Sequence, residues 1–232
     1  MNARRGSWAP ARYALSIALL AVVVSGLLYP GGTVLDASTR GYSVTHNFLS
    51  DLGSTVAFND APNTAGAVLF AVGVLLGVAV LASTFVGAVR LLSTEPRARA
   101  FARLAAVAGA LVCLGFLGVA LAPADRAFRL HILSSRGAFY SFPVATALLA
   151  MATMRDGRFR SRATVGWLTL TVVLVGFIVV AHVCRGLAPT RAVTTEASAQ
   201  KIMAVAVLVV LWIESREAEL ATATSSPLRL DA

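Results

Sequence analysis

Charge is scarce in this chain. Asp, Glu, Lys and Arg make up 13% of its 232 residues, against 57% hydrophobic. Soluble domains carry about 25% charged residues, so a water-facing globule is excluded. The charges are also clustered, and none occurs in residues 13–35, 61–89, 104–124, 137–154 or 163–184. About 20 mostly apolar residues cross a hydrocarbon core of about 30 Å. Five membrane spans follow. A sixth, over 197–213, is interrupted by Lys201, which lies near one end and can snorkel to the interface.

Cysteine and histidine are almost as rare. The two cysteines make no disulfide framework. Cys113 falls mid-span in the third helix and Cys184 at the outer end of the fifth. Their depths differ by roughly 15 Å at the helical rise, too far for a bridge. The histidines are His46, His131 and His182, each where an apolar stretch meets a polar loop. No His-Glu-x-x-His, His-x-x-x-His or Gly-x-Ser-x-Gly occurs, so the short signatures of zinc proteases and nucleophile elbows are missing. Internal repeats are missing too. A three-plus-three division of the helices is possible by counting, but the halves share no motif. Apart from Lys201 and His182, no ionisable residue lies in a span, which disfavours ion-coupled transport.

What is present defines a topology. Arg4, Arg5 and Arg12 precede an apolar run from Tyr13 to Tyr29, longer than the usual 7–15 residues of a signal-peptide core and without a small-residue cleavage site. It reads as an uncleaved first helix. With the N-terminus inside, thirteen basic residues fall on inner segments and seven on outer ones, which places both termini in the cytoplasm. The spans are expected at about 13–30, 64–89, 104–122, 137–154, 164–184 and 197–213. Residues 1–12 form a cytoplasmic segment and 214–232 a cytoplasmic tail, largely flexible beyond about Ala221. The net charge of +9 is explained by arginines beside helix ends, facing anionic headgroups; nucleic acid is not an expected partner.

Small residues should set helix packing, since apolar burial gives little drive between helices already in lipid. Gly66, Gly73 and Gly77 in the second helix, and Gly109, Gly115 and Gly118 in the third, suit close contact. Gly73-x-x-x-Gly77 is also a candidate homo-oligomer face.

Polar residues collect in the outer loops. In the first, Val44, Phe48 and Leu52 repeat every four residues with Leu49 beside them, the pattern of a short interfacial helix. Gly53 is suited to end it. His46 and Ser50 would then share a face, with Asp51 beside them. In the second outer loop Asp125 is placed to cap a helix starting at Arg126, with His131 almost two turns in. His182 falls in the last turn of the fifth helix. Zinc takes His and Asp ligands and generates hydroxide, so His46, His131 and His182 are candidate ligands, with Asp51 as acid or base. The outer arginines, Arg126, Arg129, Arg136, Arg185 and Arg191, are candidate phosphate contacts, although simple anchoring and ion pairs with Asp51, Asp125 or Glu196 are the commoner reason for any single one.

The segment His46-Asn-Phe-Leu-Ser-Asp51-Leu-Gly53, then Asn63 opening a glycine-rich helix, then Pro123-x-Asp125 and His131, resembles the DUF-998 membrane proteins, related to the Frag/DRAM/Sfk group. The likeness covers about residues 10–213. It implies a six-helix bundle with its polar motifs on the non-cytoplasmic side, and a lipid ligand. The matching positions are Ser50, Asp51, Gly53, Asn63, Asp125 and His131, which shifts weight away from the histidine trio.

The expectation is an all-α bundle of six transmembrane helices in the cell membrane. Its role would be non-enzymatic or of unproven activity, binding or organising lipid at the outer leaflet through Ser50, Asp51, Asn63, Asp125, Arg126, His131 and Arg136, without a cofactor. The alternative is a zinc-dependent hydrolase of lipid headgroups; a small lipid or solute transporter comes third.

Overall fold

The computed structural model describes residues 8–92, 94–159 and 161–224. The first seven residues with Arg4 and Arg5, Arg160, and the tail beyond Thr224 lie outside the described residues. Six helices follow one another: α1 (Ala9–Leu28), α2 (Thr64–Leu91), α3 (Pro96–Leu121), α4 (Ala124–Arg155), α5 (Ser161–Val183) and α6 (Pro189–Thr224). Each is long and apolar enough to cross a membrane. The chain is a multi-pass membrane protein.

Each helix packs on its sequence neighbours, and α6 returns to α1. The closest pair is α3 with α4. Ala98, Ala105 and Val112 on α3, and Ala138, Ala145 and Ala152 on α4, recur every seven residues and are fully buried. Such small side chains let two backbones approach. Gly115 sits at the same seam; a Cβ there would lie 2.6 Å from the Ala138 nitrogen and the Ser134 carbonyl. Gly73 packs inside the bundle as well, its Cβ position 2.9 Å from Val22 on α1, whereas Gly77 meets nothing within 4 Å. Phe142, Leu149, Leu170 and Leu174 fill the centre between α4 and α5. Cys113 and Cys184 are both free.

The helices run past the charge-free stretches. α3 begins at Pro96 and contains Arg97, Arg99 and Arg103; α4 begins at Ala124 and contains Arg126, Arg129 and Arg136. Arginine is a good helix former, so charge bounds what sits in lipid without ending the helix. α4 has one break, at Ala127 (φ −138°, ψ 51°). Asp125 therefore lies in its first turn and is not its cap, a place taken by Pro123. At the far end, α6 continues through residue 214 to Thr224, past the expected end of the sixth span at 213. It is held there by Glu219, which accepts from the Trp8 amide at 3.0 Å and pairs with Arg12 at 2.9 Å.

Candidate functional site: a capped cavity between α4, α5 and α6

The segment joining α1 to α2 is a folded cap rather than a loose loop. The φ values of Gly31 and Gly32, +140° and +81°, turn the chain sharply as it leaves α1. At Gly32 the Phe58–Asn59 backbone also passes within 2.6 Å of where a Cβ would be, so only glycine fits. Gly31 then pairs with Arg40, and Val56 with Pro62, as two isolated antiparallel bridges.

The expected interfacial helix is shorter than its apolar stripe. Only Leu49–Gly53 is helical, as one 3₁₀ turn. Residues 43–47 form a separate turn, closed by the Asn47 amide on the Ser43 carbonyl at 2.9 Å, and Phe48 between them is extended. The cause is side-chain capture of the backbone. Asn47 Oδ1 accepts from the Ser43 amide at 2.9 Å, and Asp51 Oδ2 from the Phe48 amide at 2.8 Å. Val44 is left 65% exposed while Leu52 is 2% exposed, and His46 and Ser50 no longer share a helical face. Gly53 has no left-handed backbone; a Cβ there would lie 2.7 Å from the Phe70 ring, so close packing on α2 accounts for it.

Buried amides and two carboxylates, Asp51 and Asp125, hold the cap in place. Asn47 is fully buried; its Nδ2 donates to the Gly32 carbonyl at 3.0 Å and to Asp51 at 3.2 Å. Asn63 Nδ2 donates to the Leu52 and Ser54 carbonyls at 3.0 and 2.8 Å. On α4, Asp125 accepts from the Thr55 amide, the Thr55 hydroxyl and the Val56 amide at 3.0, 2.5 and 3.2 Å. Arg126 reinforces this contact, donating to Thr55 Oγ1 at 3.0 Å. On α6, Gln200 Oε1 accepts from the Leu49 amide at 2.7 Å, and the Lys201 ammonium donates to the Asn47 carbonyl at 2.5 Å. Lys201 also lies over the Tyr42 ring, 5.4 Å from its centroid. Gln200 and Tyr42 had drawn no attention in the sequence. An adjacent Gln-Lys pair in an otherwise apolar span is the signal that marks such an anchor.

Beneath the cap, between α4, α5 and α6, lies a cavity of about 730 Å³. Its wall is aromatic and aliphatic on one side, with Phe128, Ile132, Phe139, Phe177 and Ile178. Of the candidate site residues singled out in the sequence, Ser50, Asp51, Asp125, His131, Arg136, His182 and Arg185 line it. Asn63, Arg126 and His46 do not. The first two hold the cap, and His46 is occupied in its own turn, Nδ1 lying 2.9 Å from Thr45 Oγ1 and 3.2 Å from Ser43 Oγ.

The three histidines thus do not converge on one point. Among the described residues no three His, Cys, Asp or Glu side chains are grouped so as to hold a metal ion. The zinc ligand set His46, His131 and His182 is not assembled. His131 is 4% exposed, with Nδ1 2.8 Å from the Ala122 carbonyl. A carbonyl only accepts, so Nδ1 carries a proton, and Nε2 is the nitrogen left for another partner. His182 is in the last turn of α5 as expected, yet also on the cavity wall. Its Nδ1 donates to the Ile178 carbonyl at 2.8 Å, and its Nε2 is 3.2 Å from the Tyr140 hydroxyl. Asp51, on the cap, is a buried acid of the site. Burial pushes its carboxyl up to about 6, although the Asn47 and Phe48 hydrogen bonds and the Lys201 charge oppose the rise.

The cavity therefore joins an apolar wall to hydrogen-bonding groups and free cationic charge. Arg136 is exposed on that wall and has no side-chain partner among the described residues; Arg185 lines it too, near Glu196.

No curated protein and no solved structure matches the chain. One family model does, over residues 22–215, a stretch that runs from α1 to α6 and includes the cap and every residue of the cavity. The chain belongs to the family described as "Protein of unknown function (DUF998)".

Proposed function

We propose that this protein binds an amphiphile with an anionic headgroup, a membrane phospholipid, in the capped cavity and carries out no reaction on it. Both termini then lie in the cytoplasm, and the cavity belongs to the outer leaflet of the cell membrane.

The observation that carries this reading is Arg136, a guanidinium with no side-chain partner among the described residues, in the same cavity as a wall of Phe and Ile side chains. A guanidinium presents a planar fork of donors that matches a phosphate, and the wall offers an acyl chain the surface it meets in a bilayer. The volume falls in the range of about 300–1,000 Å³ typical of ligand sites. Arg185 adds a second positive charge, and His131 Nε2 a further hydrogen-bonding atom for a headgroup.

The test is native mass spectrometry of the protein released from nanodiscs holding equal phosphatidylglycerol and phosphatidylcholine. Phosphatidylglycerol should be retained selectively, Arg136→Ala should reduce that retention several-fold, and His46→Ala should not. Equal retention of the two lipids, or an Arg136→Ala protein indistinguishable from wild type, overturns the reading. Orientation is tested separately, on cells, with both native cysteines replaced. A cysteine at the exposed Val44 should react with a membrane-impermeant maleimide, whereas one at Arg97 should not.

A further inference from the structure

A second site lies at the end of the bundle remote from the cap. There α6 carries two buried glutamates, Glu214 and Glu217, each 7% exposed. Glu214 Oε1 is completely buried and, among the described residues, has no hydrogen-bond partner. The side chain lines a cavity of about 40 Å³ that Trp8, Thr84, Thr153, Trp167 and Ser215 also wall. A single water-sized body needs about 10–15 Å³ of such space.

The hydroxyls in this wall cannot serve the carboxylate. Thr84 donates to the Val80 carbonyl at 2.9 Å, Ser215 to the Trp212 carbonyl at 2.7 Å, and Thr153 to the Ala150 and Leu149 carbonyls at 3.0 and 3.1 Å, with the Thr164 hydroxyl a further 3.0 Å neighbour of Thr153 Oγ1. A hydroxyl has one proton and two lone pairs. With the protons committed to the backbone, only lone pairs remain. The Trp167 indole acts on the carboxyl as a donor, yet Oε1 stays unpartnered.

Neighbouring charges deepen the deficit. Glu217, of the same sign, is the charged group that acts on Glu214. Arg216 between them in sequence is exposed. Arg12 of α1 is engaged by Glu219, and Arg158, after α4, by Asp156 and the Leu91 carbonyl. On α5, Gly166 makes room for the carboxylate, since a Cβ there would lie 2.5 Å from Oε1. Burying an uncompensated carboxylate among acceptors costs several kcal/mol, and one positive charge removes that cost.

We propose that this cavity binds one small monovalent cation, a proton or Na⁺, at Glu214, with the Thr84, Thr153 and Ser215 lone pairs completing its surroundings. The site is independent of the lipid reading, because its residues and those of the capped cavity do not overlap.

Trp8 and Trp167 report on it directly. In the full chain carrying Trp212→Phe, tryptophan fluorescence is followed against NaCl, with choline chloride holding ionic strength constant, and against pH without Na⁺. A saturable Na⁺ response at fixed pH identifies Na⁺; a single pH transition insensitive to Na⁺ identifies the proton. Glu214→Gln, uncharged and of the same shape, should abolish the response, whereas Asp51→Asn at the other end should leave it. Gly166→Ala, which presses a methyl against Oε1, should move the midpoint at least several-fold in cation concentration, and it decides the matter if Glu214→Gln fails to fold. Flat wild-type traces in both titrations overturn the proposal and assign the space to water. So does a Glu214→Gln protein that titrates as wild type, or an unmoved Gly166→Ala midpoint.

Discussion

The ammonium of Lys201 on α6 reaches the backbone carbonyl of Asn47, 154 positions earlier, at 2.5 Å. The lysine that interrupts the sixth apolar run is therefore a latch on the cap. Its stem stays along α6, where it also meets the Ala197 carbonyl at 3.1 Å. Hydrogen bonds to charged groups contribute about 1.5–3 kcal/mol. Lys201→Met keeps the stem and removes the donor. Amide hydrogen exchange at residues 47–51 should then accelerate by one to two orders of magnitude, with no change in α3 or α4. Uniform acceleration along the chain, or none, would show that the latch is not local.

Asp51 makes the cap sensitive to pH. Its carboxyl is raised by burial to about 6 from a usual 3.8, so the folded form holds the proton more tightly than the unfolded form. By linkage, the cost of the buried charge is present above about pH 6 and is relieved as pH falls through that value toward 4. The midpoint of thermal unfolding in detergent should rise by several degrees between pH 7 and 5. Asp51→Asn should flatten that segment of the profile, because the amide carries no charge at either pH. A wild-type profile that falls over the same interval contradicts the assignment.

Glycines in the helices are not equivalent. Gly115→Ala places a methyl 2.6 Å from backbone atoms of α4, which can yield only by moving the helix. Overpacking of this kind costs about 1–3 kcal/mol. Gly77→Ala, with open space at its Cβ position, should be neutral or slightly stabilising, since alanine is the better helix former. Unfolding midpoints of the two variants should separate by several degrees, Gly115→Ala being the lower. Coincident midpoints would mean that the α3–α4 seam relaxes freely.

Asp125 should behave as a fastener of the cap. Three donors from Thr55 and Val56 converge on its carboxylate. Asp125→Ala should therefore open a protease site in residues 54–60, which Asp125→Asn, retaining one acceptor oxygen, should expose only partly. Limited proteolysis followed by mass analysis of the fragments separates the two. Equal resistance in both variants and wild type would reduce the contact to a surface decoration.

The membrane bundle was legible because it depends on a coarse quantity, the spacing of charges along the chain. Helix ends were not, since Arg97, Arg99 and Arg103 or Arg126 and Arg129 continue a helix as readily as leave one. Several of the residues singled out in the sequence do meet at one cavity, because the alternation of six helices brings the start of α4, the end of α5 and the start of α6 to the face that the cap covers. The shape of the cap was hidden in two side chains, Asn47 and Asp51, whose bonds to the backbone overrode an apolar period that reads as helix. Glu214 and Glu217 were overlooked for a related reason. They follow the last apolar run, so they read as tail, and only the continuation of α6 turns them inward.

The cap is bonded to α4 through Asp125 and to α6 through Gln200 and Lys201, while its own ends are covalently α1 and α2. Four of the six helices are thus tied at this face by one stretch of 35 residues between Leu28 and Thr64. Any motion that parts α4 from α6 must first stretch that tether or unfasten one of its two moorings. The mechanical state of the whole bundle is then readable at a single peptide segment, and a force or a ligand that slackens the segment is felt by both walls at once.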